Sequence, residues 1–232
     1  MSAVHYFLKI LLSIFLFLIV YMLIAGVWAY HVTDDIVEHF ETRPLTDLAE
    51  YRSSQLAIII AVEDPTFYDH IGIDAFTPGQ GMTTITSSLA RDFYLKTTTL
   101  DGFQGILQSF YQIIWNCCSK VDLGRDAMAI ALQLKINKDK ILQYFLSNVY
   151  LGRMHEKEVI GFDQAANTYF DKTIPELSLG ETIQLVAMFK APDDYSIHFH
   201  KKNNQNRSLR IHRLINGQCE PSEWFDTLYK SC

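Results

Sequence analysis

Ala57-Ile58-Ile59-Ile60-Ala61-Val62-Glu63-Asp64-Pro65-Thr66-Phe67-Tyr68-Asp69-His70-Ile71-Gly72-Ile73-Asp74 is the stretch from which both the fold and a site can be read. Six apolar residues run straight into an acidic pair, and the proline behind the pair stops a helix. An aromatic pair, a histidine, a glycine and another aspartate follow. The pattern presents a carboxylate at the end of a buried element. Partial desolvation there disfavours the charged form and suits the group to general-base work. Glu63 is the leading candidate, and the competing expectation is an acidic pair that is only solvated surface.

Working outward, 232 residues with 49% hydrophobic and 20% charged content supply one globular core plus an extra apolar segment at an end. A net charge of -6 argues against nucleic acid as a partner, since phosphate binding calls for a basic face. No repeat or low-complexity tract interrupts the chain.

The extra segment is Ile10 to Tyr30, which carries no charged residue. At about 1.5 Å per residue it matches the ~30 Å hydrocarbon core of a bilayer. Lys9 precedes it, whereas Asp34 and Asp35 follow and no Lys or Arg occurs before Arg43. The positive-inside rule then expects a single pass with Met1 inside and the rest of the chain outside. A cleavable signal peptide ending near Val27-Trp28-Ala29 is the alternative, but the apolar run is too long for one. Tyr21, Trp28 and Tyr30 suit an interfacial belt, which favours an uncleaved anchor. The expected division is a cytoplasmic tail (1–9), an anchor (10–30), a linker (31–44), a main globular domain (45–216) and a tail (217–232). Cys219 and Cys232 bracket that tail and could close a loop, while the adjacent Cys117 and Cys118 are expected to pack as small hydrophobes.

Beyond the anchor a helix is expected to begin near Asp47. A glycine-rich loop from Ala75 to Gly81 feeds a helix with Ile85 and Leu89 one turn apart, surrounded by Thr83, Thr84, Thr86, Ser87 and Ser88 and followed by Arg91. Such a helix start suits phosphate or pyrophosphate; simple capping by threonine is the plainer expectation. Phe103, Ile106, Leu107, Phe110 and Ile114 share one helical face, expected in the core or, with its aromatic-rich end, on the membrane surface. Two further helices break at Asn137, another amphipathic element begins near Ile160, and Ser178 to Glu181 has capping-box spacing. Lys201 to Arg213 is expected as a solvated or membrane-facing helix. No strand alternation of useful length occurs, so the fold class is mainly α.

These motifs, in this order, resemble the peptidoglycan glycosyltransferases, glycosyltransferase family 51, and especially the monofunctional membrane-anchored transglycosylases. The family's first motif is matched by Glu63, Asp64, Phe67, His70, Gly72 and Asp74. Its second has its frame in Gly81 to Asp92, without the family's glutamines, lysine and asparagine. Its fourth appears as Lys138, Ile141, Leu142, Gln143, Phe145, Leu146, Ser147 and Gly152. The third departs: Arg125 stands where the family carries a second glutamate, Asp126 is one position away, and the connection from Arg91 to Arg125 is longer than usual. The resemblance covers roughly Leu45 to Asn216.

The resemblance implies a lysozyme-like helical domain on the outer face of the bacterial cytoplasmic (inner) membrane, in the periplasm or its equivalent. It implies that lipid II and the growing glycan strand are substrates, with inversion at the anomeric carbon, and that a divalent cation (Mg or Mn) assists. Other cell-wall synthesis proteins are implied partners. Glu63 would be the general base and pyrophosphate the leaving group. Asp64, Phe67, His70, Thr83, Thr84, Thr86, Ser87, Arg91, Arg125 and Lys138 would bind substrate, with Lys96 or Lys120 as further cations and Asp126 as the candidate second acid. Arginine at position 91 keeps the family lysine's charge. The alternative of a different class is a weak or inactive relative that binds lipid II or cell-wall enzymes. A hydrolytic enzyme on a related fold is a third.

Overall fold

The structure is a computed structural model and describes residues 3–42, 44–118 and 123–232. The expectations for Lys120 lie outside the described residues, and nothing bears on the side chains of Cys117 and Cys118.

Helix α1 (Ala3–Glu41) begins as an apolar rod whose side chains from Val4 to Phe17 are all exposed. From Ala25 onward one face turns inward: Ala25, Trp28, Ala29, Val32, Ile36 and Phe40 are buried at the 3–4 residue spacing of a helix. Residues 31–41, expected as a linker, therefore continue the helix and belong to the core. Burial of Val32, Ile36 and Phe40 stabilises this docking by about 1.5–3 kcal/mol each. Polar contacts fix its rotation: Thr33 Oγ1 shares a 2.7 Å hydrogen bond with the Tyr94 hydroxyl, and Lys135 meets Asp34 at 2.7 Å.

The remaining helices surround that seam. They are α2 (Ser53–Glu63), α3 (Ile85–Leu95), α4 (Gly102–Cys118), α5 (Leu123–Lys135), α6 (Lys138–Asn148), α7 (Phe162–Phe170), α8 (Leu179–Met188) and α9 (Lys201–Ile215). Near Asp47 the expected helix is only a short 3-10 turn, Leu48–Glu50, because the chain must bend before α2. Asn137 caps α6 by accepting from the Lys140 N–H at 2.8 Å, and Ser178 and Glu181 form the expected capping box on α8.

Two elements differ from expectation. Tyr150 to Ile160 folds as an antiparallel hairpin, β1 (Tyr150–Met154) and β2 (Lys157–Ile160), in a segment too short to show alternation. In α4 the inward residues are Gln108 and Tyr111, whereas Phe103, Ile106, Phe110 and Ile113 are 49–70% exposed. Gln108 faces inward because it serves backbone groups left open by the preceding loop, accepting from Leu100 N and donating to Tyr94 O and Thr98 O.

Candidate active site

Glu63 is the last residue of α2, and the carbonyls of that final turn find partners outside the helix. Asp64 N–H returns to Ile60 O at 2.9 Å, the Tyr229 hydroxyl donates to Val62 O, and Gln80 Nε2 donates to Glu63 O at 3.2 Å. The end of α2 is thereby held from three sides.

Asp64 points the other way and is fully buried. Its Oδ2 accepts the Ile85 N–H at 2.9 Å, and His70 Nε2 lies 2.9 and 3.0 Å from its two oxygens. Gly72 N–H donates to His70 Nδ1 at 2.9 Å, which leaves the ring proton on Nε2 and makes His70 the donor to Asp64. Gly72 adopts φ +113°, and a Cβ there would come within 2.8 Å of the Ala129 carbonyl, so only glycine fits. Asp74 is pushed up by burial but held well below the carboxylate range overall by Thr66, Thr77 and two backbone N–H groups. Phe67 is buried beneath Lys138, whose Nζ lies 4.5 Å from the ring centroid. Burial pushes that ammonium down to about 8, against Asp64 and Asp69.

Glu63 itself opens onto a cleft of about 780 Å³. Glu63, Gln80, Thr83, Thr84, Ser88 and Arg91 line it, together with Lys96, Tyr150 and Arg153 from the hairpin, and Lys190 and Arg207. Glu63 keeps part of its surface exposed to the cleft, yet protein surrounds it closely; desolvation raises its proton affinity, Arg207 and Lys190 lower it, and Asp64 raises it. Lys190, exposed at the rim, is itself pushed down by desolvation. Arg207 is 1% exposed, donates to Thr227 O at 3.1 Å and lies 5.5 and 5.6 Å from the rings of Tyr195 and Tyr229.

The start of α3 is already occupied. Thr84 caps it through Ser87 N–H at 3.0 Å, and Asp64 takes the Ile85 N–H. Thr86 and Ser87 are buried and do not line the cleft. This matches the plainer expectation of capping. Arg125 is 3% exposed and donates to Met82 O at 2.9 Å and to Asp126 Oδ1 at 2.7 Å. Asp126 lines a separate hollow of about 100 Å³ beside Asp74 and Trp224. Neither residue of the pair lines the cleft with Glu63.

A family model described as Transglycosylase matches residues 31–216. The chain belongs to the transglycosylase family. It is 27% identical to penicillin-binding protein 1A of Neisseria flavescens over 193 residues and 31% identical to penicillin-binding protein 1F of Bacillus subtilis strain 168 over 181 residues. Those matches cover 78% and 77% of this chain but 21% and 24% of the relatives, so the chain spans about a quarter or less of their length. The matched domain is mainly helical and lysozyme-like.

Within this transglycosylase, Glu63, Thr83, Thr84 and Arg91 line the cleft, whereas Asp64, Phe67, His70, Thr86, Ser87, Arg125, Asp126 and Lys138 do not. Gln80, Lys190 and Arg207 were not singled out from the sequence. For Arg207 a signal was present: Asn204, Arg207 and Ile211 recur at helical spacing and are the buried face of α9.

Proposed function

We propose that this chain is a membrane-anchored peptidoglycan glycosyltransferase that extends glycan strands from lipid II with Glu63 as general base. The observation that carries the reading is a carboxylate of raised proton affinity at the floor of a cleft whose walls bear Lys190, Arg207, Arg91 and Lys96. Glu63 takes the proton of the acceptor sugar hydroxyl as its oxygen bonds to the donor's anomeric carbon. The bond from that carbon to the phosphate oxygen breaks on the opposite face, its electron pair leaving with the pyrophosphate. Cations preset around the cleft offset the charge that develops there.

Among the described residues no three His, Cys, Asp or Glu side chains converge on one point that could hold a metal ion. No step is routed through one.

The segment Val4–Glu41 is long and apolar enough to cross a membrane, with a mean hydropathy of 2.9 over its most apolar window. We place its first part across the bacterial cytoplasmic membrane, N-terminus inside, and the domain on the outer side. The outward stripe Phe103, Ile106, Phe110 and Ile113 of α4 then rests at the bilayer surface, because Tyr111 of α4 packs against Tyr21 and Trp28 of α1 at 5.9 and 5.1 Å.

The pairing of Arg125 with Asp126 outside the cleft favours a second reading, a relative that binds lipid II or cell-wall enzymes without turnover. Lipid II binding and polymer formation by wild type and Glu63→Gln separate the two. Binding by both with polymer from wild type alone supports the enzyme; binding without polymer from either supports the accessory protein.

A further inference from the structure

The residues after α9 lie beyond the 31–216 match, yet they build part of the cleft. The tail doubles back and is closed on itself by the Cys219–Cys232 disulfide. Its backbone then reaches the loop that borders the site: Gly79 N–H donates to Glu223 O and Gly81 N–H to Trp224 O, both at 2.9 Å. Gly81, at φ +68°, sits so close that a Cβ would meet the Thr227 methyl at 2.6 Å. Between these glycines lies Gln80, the residue that holds the Glu63 and Thr83 carbonyls.

Two further contacts reach the charged groups. Thr227 O is the acceptor for Arg207, and the Tyr229 hydroxyl, on a side chain only 1% exposed, satisfies Val62 O beside Glu63. Arg213 of α9 holds the tail in return, donating to Cys232 O at 2.6 Å. Asp226 organises the turn between, taking the Lys230 N–H at 2.8 Å and the Ser231 hydroxyl at 2.6 Å. Removing the tail would leave the Val62 carbonyl and the Arg207 guanidinium each short of a buried partner, and buried polar groups tolerate that poorly.

We propose that residues 217–232 are a disulfide-closed clasp that positions Glu63 and Arg207, so that sugar transfer requires the Cys219–Cys232 bond. The inference rests on the glycosyl-transfer reading of the cleft for its activity arm only. A dithiol reductant such as dithiothreitol delivers two electrons and two protons to the disulfide, giving thiols at Cys219 and Cys232 while it becomes a cyclic disulfide itself. The cross-link restricts the opened tail, and without it the tail's own hydrogen bonds must hold the clasp shut.

The test compares the full chain in bilayer discs, oxidised, reduced with dithiothreitol and alkylated, and as Cys219→Ser/Cys232→Ser, alongside Tyr229→Phe. Amide hydrogen exchange is the readout that needs no activity: Gly79 and Gly81 are expected to exchange about tenfold faster once the clasp opens, while α5 and α6 keep their protection. The pH dependence of kcat/KM reports positioning. The charged and titratable groups that act on Glu63 are Asp64, Lys190, Arg207 and Tyr229, with Arg91 and Asp92 lining the same cleft, and desolvation is the leading cause of its raised proton affinity. Water admitted by an open clasp moves the acid limb to lower pH, and Tyr229→Phe gives a smaller shift in the same direction with the disulfide intact. Unchanged exchange at Gly79 and Gly81 on reduction overturns the clasp, and so does loss of protection throughout α5 and α6, which would mark a general staple. Wild type that forms no polymer defeats the enzyme reading instead, while the exchange result still decides the clasp.

Discussion

Replacing Arg207 by methionine tests how the cleft is held. The side chain is buried, makes one charged hydrogen bond to Thr227 O at 3.1 Å and lies between two tyrosine rings. The hydrogen bond contributes about 1.5–3 kcal/mol, and each cation–π contact about 0.5–1 kcal/mol. Relief of the cation's own desolvation offsets part of that sum. A net loss of about 2 kcal/mol remains, which for a chain of this size lowers Tm by roughly 4–8 °C. Arg207 also lowers the proton affinity of Glu63, so removing it raises that affinity further. A general base must be deprotonated to act, and the acid limb of kcat/KM against pH therefore moves upward. Arg207→Lys keeps the charge and should recover most of the pH shift but little of the stability, because the ring stacking and fork are lost. Differential scanning calorimetry and initial rates of lipid II polymerisation from about pH 4 to 9 measure both effects. A Tm loss below about 1 °C, or an acid limb that stays put or moves down in Arg207→Met, would refute the reasoning.

Three more outcomes follow from single groups. Glu63→Gln should raise Tm at neutral pH, because burial leaves the native carboxylate with a proton affinity above its unfolded value and its charge costs stability there; the gain should vanish as pH falls below both values. Lys138 behaves in the opposite sense: its ammonium is lowered from 10.5 to about 8, the unfolded chain binds more protons between those values, and wild type should gain stability relative to Lys138→Met as pH rises from 8 to 10.5. Thermal melts across that window check it, and a flat difference would contradict the burial of Lys138. In reconstituted protein, a spin label at Ile106 should collide with oxygen more than with a water-soluble nickel chelate, and a label at Lys157 the reverse; equal accessibility at the two positions would remove α4 from the membrane surface.

The helices that frame the cleft were legible because their punctuation is local. Asn137, Ser178 and Thr84 each cap within three residues, and the alternation of apolar positions in α5, α6 and α8 follows the helical period. What was not legible depends on distance in the chain. Residues 31–41 have a polar composition that reads as linker, and only the face formed by Val32, Ile36 and Phe40, packed against elements more than fifty residues away, makes them core. In α4 the apolar stripe was the loudest signal, yet the core took Gln108 and Tyr111, since tertiary demand for backbone partners outweighed hydrophobicity. The site shows the same division. Glu63 was readable as a carboxylate ending an apolar run, whereas Lys190 and Arg207 come from separate elements 127 and 144 residues later and carry no motif of their own. The third-motif pair Arg125 and Asp126 was readable as a departure, and its mutual hydrogen bonding apart from the cleft is a fact of packing.

The most direct measurement is the single-turnover rate of glycosidic bond formation from lipid II by the full chain in a bilayer, wild type against Glu63→Gln at saturating substrate. A placed general base contributes about 10²–10⁴-fold, and a loss of that size with substrate binding retained is the expected result. Equal rates in the two proteins, or bound lipid II with no bond formed by wild type, would contradict the assignment of Glu63 as the base.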